Sequence, residues 1–123
     1  MIIQELKKVG DDERGYTIEY TPKRTGTHMI AFRVAGSVSG RHYHKGLSAT
    51  KDPEILVLMQ GRCIFNWFDV TKEDQTPSTL VLNGPIQLEI PKNTWHEVIA
   101  ETDCTFLEFN SVAEHAADTF YIS

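Results

Sequence analysis

Apolar and polar residues alternate along many short segments of this chain, a pattern typical of strands with one buried face. The segments that this pattern predicts as strands are Tyr16–Tyr20, Met29–Val34, Glu54–Gln60, Cys63–Val70, Thr79–Leu82, Ile86–Ile90, Glu97–Ala100 and Thr105–Phe109. His42–Lys45 is a short extended piece, and Gly61 with Arg62 forms a tight hairpin turn. No segment keeps a helical period over three turns, although Glu114–Asp118 could form one helical turn. Short strands separated by glycine, proline and asparagine turns predict an all-β sandwich or closed barrel.

The 123 residues are enough for one hydrophobic core and are therefore expected to form a single domain over residues 1–123. Residues 1–10 mix apolar and charged side chains and are predicted to form either an edge strand or an N-terminal arm on a partner subunit. Gly10 to Gly15 is predicted to be a polar turn.

The composition of the chain argues against some classes of function but does not assign one. The apolar fraction of 41% and the charged fraction of 24% are ordinary for a soluble globular protein. The net charge of −5 argues against a nucleic-acid partner, and no apolar run approaches the ~20 residues needed to cross a bilayer. Cys63 and Cys104 are too few for a disulfide framework and are expected to be reduced, buried thiols in a cytoplasmic protein.

Three histidines and one glutamate form the candidate site. In a strand, residues two apart face the same side, so His42 and His44 point together while Tyr43 points away. Glu54 begins one predicted strand and His96 precedes another, each with aliphatic residues further along the same face. These four side chains are therefore expected at the mouth of an apolar barrel, a common place for a small-molecule site.

The spacing of the residues around these four positions resembles that of the two cupin motifs: Gly36-x5-His42-x-His44 with Glu54-x6-Gly61, and Gly84-x6-Pro91-x-Asn93-x2-His96. The resemblance implies a single-domain jelly-roll barrel, and a homodimer is expected by analogy with the family. In metal-binding cupins the positions of His42, His44, Glu54 and His96 are ligands, which implies a divalent transition metal such as Zn, Fe, Mn, Ni or Cu. The chain departs from the family in a longer interval between His44 and Glu54 and in Ala100, where asparagine is usual.

A second resemblance is to cupins that modify nucleotide sugars, among them sugar 3,5-epimerases and 3,4-ketoisomerases. It is carried by Asp12-Glu13-Arg14-Gly15 and by Gly40-Arg41-His42-Tyr43-His44-Lys45. By this resemblance His42 falls on the catalytic histidine and Arg14 on an early arginine of the site. Arg41 and Lys45 could bind substrate or stabilise an oxyanion.

The sequence thus predicts a metal-binding cupin that isomerises or epimerises a sugar, such as a nucleotide sugar, by moving a proton next to a carbonyl group. His42 is predicted to be the base, although it cannot be both a free base and a metal ligand. The tyrosine acid of such epimerases has no clear counterpart, which leaves Tyr16, Tyr20 and Tyr121 by elimination. Two alternatives stay open, a metal-dependent dioxygenase and a cupin that binds a small molecule or sugar without turnover. His28 and His115 are predicted to be surface residues.

Overall fold

The computed structural model describes residues 1–122 as eleven strands and one short helix. The strands are β1 Ile2–Glu5, β2 Lys8–Asp12, β3 Gly15–Ile18, β4 Met29–Arg33, β5 Val38–His42, β6 Glu54–Gln60, β7 Arg62–Asp69, β8 Ser78–Asn83, β9 Ile86–Ile90, β10 Thr94–Ala100 and β11 Cys104–Glu108. The helix, α1, is Val112–Ala117. No helix within residues 1–122 is both long and apolar enough to cross a membrane.

Two antiparallel sheets enclose the main core. One has the strand order β1-β9-β6-β11-β4, the other has the order β5-β10-β7-β8, and β2 forms a separate two-stranded sheet with β3. Leu56 and Phe106 of the first sheet meet Phe65 and Val98 of the second in one buried cluster. The prediction of an all-β, single-domain jelly roll is confirmed.

Strand β6 is buried on both faces, which explains its unbroken apolar sequence. Leu56 and Leu58 point into the main core, whereas Ile55 and Val57 join Phe109 in a second cluster on the outer face of the sheet. That second cluster is covered by Leu6, Tyr20 and Leu107. A strand that is buried on both faces is expected to show a run of apolar residues rather than alternation.

The N-terminal residues differ from their prediction in one respect. β1 is an edge strand that pairs with β9, but Gly10 to Gly15, predicted to be a turn, mostly belong to the β2–β3 hairpin. The turn is confined to Glu13 and Arg14, where the Arg14 N–H donates to the Asp12 carboxylate. Every residue of β2 is exposed, so the strand has no apolar pattern from which it could be predicted.

The glycine-rich segment before His42 is a strand rather than a loop. β5 passes through Gly40 and pairs with β10, with an irregularity between His96 and Glu97. Gly40 (φ 86°) and Arg41 (φ 61°) have left-handed backbone there, and a Cβ on Gly40 would lie 2.8 Å from the His96 carbonyl oxygen. This bulge therefore requires glycine at position 40. The bulge also determines the point at which His42 leaves the sheet.

Cys63 and Cys104 are both free and buried in the main core, as predicted from the sequence. Burial is the largest cause that raises the pKa of the Cys63 thiol, to about 12, and the neighbouring Cys104 adds to it. The two thiols act as small apolar side chains in this position.

Candidate functional site

The four predicted ligand residues meet at one end of the barrel. The ring centroid of His42 lies 4.9 Å from that of His44 and 5.0 Å from that of His96, and the centroids of His44 and His96 are 5.5 Å apart. One nitrogen of each of the three imidazoles lies within 4.8 Å of the others. The Glu54 Oε2 atom is 2.6 Å from His44 Nε2 and 3.9 Å from His96 Nε2.

Backbone carbonyls fix the orientation of two of the imidazoles. His44 Nδ1 lies 2.5 Å from the Asp118 carbonyl oxygen, and His96 Nδ1 lies 3.0 Å from that of Thr94. Since a carbonyl only accepts hydrogen bonds, each Nδ1 must carry a hydrogen, and a neutral ring then has a lone pair on Nε2. Both Nε2 atoms and Glu54 Oε2 thus converge as acceptors, an arrangement that needs a shared proton or a metal cation between them.

Lys51 is completely buried beside this cluster and was not predicted to belong to it. Its Nζ is 3.5 Å from Glu54 Oε2 and donates to Asn110 Oδ1 at 3.0 Å, and it lies 3.0 Å from His115 Nδ1. Lys51 lies in the interval between His44 and Glu54, which is longer in this chain than in the family that it resembles. The unusual length of that interval was the one feature of the sequence which indicated that a residue from this segment contributes to the site.

The prediction that His115 is a surface residue is wrong. Helix α1 begins with a capping box in which Ser111 and Glu114 bond each other's backbone, and it carries His115 to the histidine cluster. The half-buried His115 ring lies 5.2 Å from that of His42 and 5.5 Å from that of His44, between centroids. Sequence spacing could not reveal this because His115 is far from the other histidines along the chain.

Burial dominates the electrostatics of the cluster. It lowers the pKa of His42 to about 3, with the neighbouring imidazoles of His96 and His44 contributing, and it also lowers the pKa of His96. Burial alone would raise the pKa of Glu54, but the contact with His44 and the nearby His96 and Lys51 outweigh it and hold this pKa below its usual value. At neutral pH the site therefore combines an ionised Glu54 with a neutral His42.

A cavity of about 500 Å³ opens beside the cluster. One edge strand of each sheet, β4 in the five-stranded sheet and β5 in the four-stranded sheet, contributes to its lining. Its apolar wall includes Leu56, Val98 and Phe106. Its titratable and charged lining residues are Arg33, His42, Glu54, His96, Glu108 and His115. An apolar chamber with a few convergent polar groups is typical of a small-molecule site.

The three predicted substrate-binding residues lie outside this cavity. Arg41 Nε is 3.0 Å from a carboxylate oxygen of Glu97, and Lys45 Nζ lies 4.0 Å from the centroid of the Phe120 ring. Arg14 pairs with Asp12 at the tip of the β2–β3 hairpin, and 85% of its side chain is exposed. The positive side chain that lines the cavity is instead Arg33, whose Nε donates to Ser39 across the gap between β4 and β5.

Of the three tyrosines left by elimination, Tyr121 is the one that approaches the cluster. Its ring centroid lies 6.3 Å from that of His42, and the side chain is largely exposed. Tyr16 donates to the Met59 carbonyl oxygen and Tyr20 bonds the Gln87 side chain. Both line a groove on the outer face of the five-stranded sheet.

No protein-family model matches the sequence, and no curated protein is detectably similar to it. Solved structures do resemble its fold. A 3,4-ketoisomerase from Helicobacter canadensis is 22% identical with a TM-score of 0.67, over 92% of this chain and 86% of that one. A dTDP-4-dehydrorhamnose 3,5-epimerase from Sulfolobus tokodaii is 21% identical with a TM-score of 0.73, over 98% and 76%.

A sugar 3,4-ketoisomerase from Thermoanaerobacterium thermosaccharolyticum, solved in complex with TDP, is 17% identical with a TM-score of 0.71. That match covers 98% of this chain and 87% of the other. These identities are low, so what the likeness shows is a shared fold. The chain therefore shares the single-domain, all-β jelly-roll fold of these structures.

Proposed function

We propose that this protein is a sugar isomerase or epimerase that acts on a nucleotide-linked keto sugar by moving a proton next to the carbonyl group. The observation that carries the proposal is the position and chemical state of the His42 side chain. Its imidazole lines the cavity, is neutral, and makes no hydrogen bond with any residue from 1 to 122. The structural neighbours, which include sugar 3,4-ketoisomerases and 3,5-epimerases, support this reaction class for the same fold.

In the proposed reaction an imidazole nitrogen of His42 takes the proton from the carbon next to the carbonyl. The electron pair of that C–H bond forms an enediolate, and the negative charge falls on the former carbonyl oxygen. Because the pKa of His42 is lowered to about 3, the ring is ready to accept a proton but is a weak base until this negative charge develops beside it. Arg33, at the wall near β4 and β5, provides positive charge for the diphosphate or the oxyanion.

The experiment that tests this reaction follows deuterium exchange by proton NMR. The wild-type protein is incubated in D2O with TDP-4-keto-6-deoxyglucose, the ligand of one structurally similar ketoisomerase. We expect the hydrogen next to the carbonyl group to be replaced by deuterium much faster than in buffer alone. Binding without exchange would instead support the non-catalytic alternative.

We also propose that a divalent transition metal such as Zn, Fe, Mn or Ni binds His44, Glu54 and His96. Two observations support this set. The acceptor atoms of the three side chains converge, and backbone carbonyls accept hydrogen bonds from Nδ1 of both His44 and His96. His42 was also predicted to be a ligand, and one of its nitrogens lies within 4.8 Å of those of His44 and His96, but in this assignment it is left free to accept a proton. When bound, the metal would act as a Lewis acid that stabilises the enediolate oxygen.

Elemental analysis of protein purified without chelators tests the metal. We expect about one equivalent in the wild type, a clear loss of bound metal in His96→Ala, which lacks one of the three ligands, and no change in the control His28→Ala, whose ring packs on Phe109. Iron or copper would favour the dioxygenase alternative. A wild type that holds no metal, even after Zn²⁺ is added, would contradict the assignment and leave Lys51 as the cation beside Glu54.

A further inference from the structure

Glu108 is a carboxylic acid in an unusual place, the interior of the barrel. On β11 it has the same parity as Cys104 and Phe106, which point into the main core, whereas Leu107 and Phe109 point outwards. Its strand neighbours are Met29 on β4 and Leu56 on β6, and all three residues line the cavity. A glutamate in this position is surrounded largely by apolar side chains.

Within residues 1–122 the Glu108 carboxyl forms neither an ion pair nor a hydrogen bond. Burial and the negative charge of Glu54 raise the pKa of Glu108, while Lys51, Arg33 and His44 oppose the rise. The Glu108 side chain is partly buried and faces the cavity, so a carboxyl without a protein partner in this position is well placed to meet a ligand.

Glu108 and His42 belong to opposite walls of the barrel. His42 leaves β5 in the four-stranded sheet, whereas Glu108 is on β11 in the five-stranded sheet, and the cavity lies between these sheets. A sugar in the cavity would thus have an imidazole on one side and a carboxyl on the other. Inversion of a carbon requires a base on one face and an acid on the other, which is the arrangement that these two walls provide.

We propose that Glu108 is the second proton-transfer group of this site, so that the chain inverts a carbon next to the carbonyl group. This inference rests on the proposed function. His42 removes the proton from one face of the carbon, and the C–H electron pair enters the enediolate. The O–H bond of Glu108 then breaks as its proton is delivered to the opposite face of the same carbon, and the carbonyl forms again. His42 ends protonated and Glu108 ionised, and water resets both.

The test compares Glu108→Gln with the wild type on TDP-4-keto-6-deoxyglucose in D2O, with exchange and epimer formation followed by NMR. We expect the variant to form the epimer about 10²-fold more slowly or worse, while exchange at the carbon next to the carbonyl stays close to the wild-type rate. Glu108→Asp, which keeps the carboxyl, is expected to recover part of the epimer formation. The control is Glu101→Gln, outside the cavity, where an exposed ion pair with Arg62 is lost.

Three results would overturn the inference. In the first, Glu108→Gln forms the epimer at the wild-type rate, and in the second it loses exchange as completely as it loses epimer. In the third, the wild type exchanges but yields only a ketoisomer with unchanged configuration, which refutes the role of Glu108 and leaves the proposed function standing. A wild type that does not exchange at all refutes the proposed function, and this inference with it.

Discussion

Replacing His42 with asparagine is expected to slow exchange and turnover of TDP-4-keto-6-deoxyglucose by about 10²–10⁴-fold, the usual contribution of a general base. His42 is the cluster imidazole without a hydrogen-bond partner within residues 1–122 and with a face on the cavity. Because it is neutral at neutral pH, the substitution removes no charge from the fold. Exchange is measured by proton NMR in D2O, and kcat is separated from KM by varying the sugar concentration.

The matched control for this variant is His28→Asn. His28 was also predicted to be a surface residue, which is wrong because it is half-buried against Phe109, but it lines neither the cavity nor the histidine cluster. It should therefore leave the exchange rate unchanged. Exchange at the wild-type rate in His42→Asn would remove His42 from the reaction, and a loss shared equally by both variants would point to damage of the fold.

Alternation along strands was enough to predict most of the fold and the centre of the site. The rule that residues two apart share a face brings His42 and His44 together. The same rule places Arg41 on the opposite side, where it pairs with Glu97, although family resemblance suggested that it binds substrate. Where strand parity and resemblance disagree, parity describes the geometry because it follows from the backbone.

The residues that sequence reasoning missed enter the site from places that alternation does not describe. Lys51 comes from an irregular segment, and His115 comes from a helix that follows the last strand. Glu108 is the last residue of β11, and the inward-facing residues before it on that strand, Cys104 and Phe106, are apolar. Each is polar by type and would ordinarily be expected at the surface, so only the long-range packing of the chain reveals its role.

Lys51→Met is expected to lower the free energy of unfolding by about 3–5 kcal/mol, the usual cost of leaving a buried charge without its partner. Methionine keeps the length and apolar stem of lysine but leaves Glu54 without the ammonium group 3.5 Å away. Urea unfolding followed by circular dichroism measures the change. The control Lys92→Met removes an exposed pair with Asp52 at 4.0 Å and should cost no more than about 1 kcal/mol.

The double variant Lys51→Met/Glu54→Gln separates charge from packing. If the penalty arises from the uncompensated carboxylate, removing that carboxylate should restore a large part of the lost stability, although His44 and Asn110 still lose a partner. A Lys51→Met protein as stable as the wild type would mean that Glu54 is balanced by another cation. A bound metal is the candidate for that cation, and metal analysis of the same variant tests it.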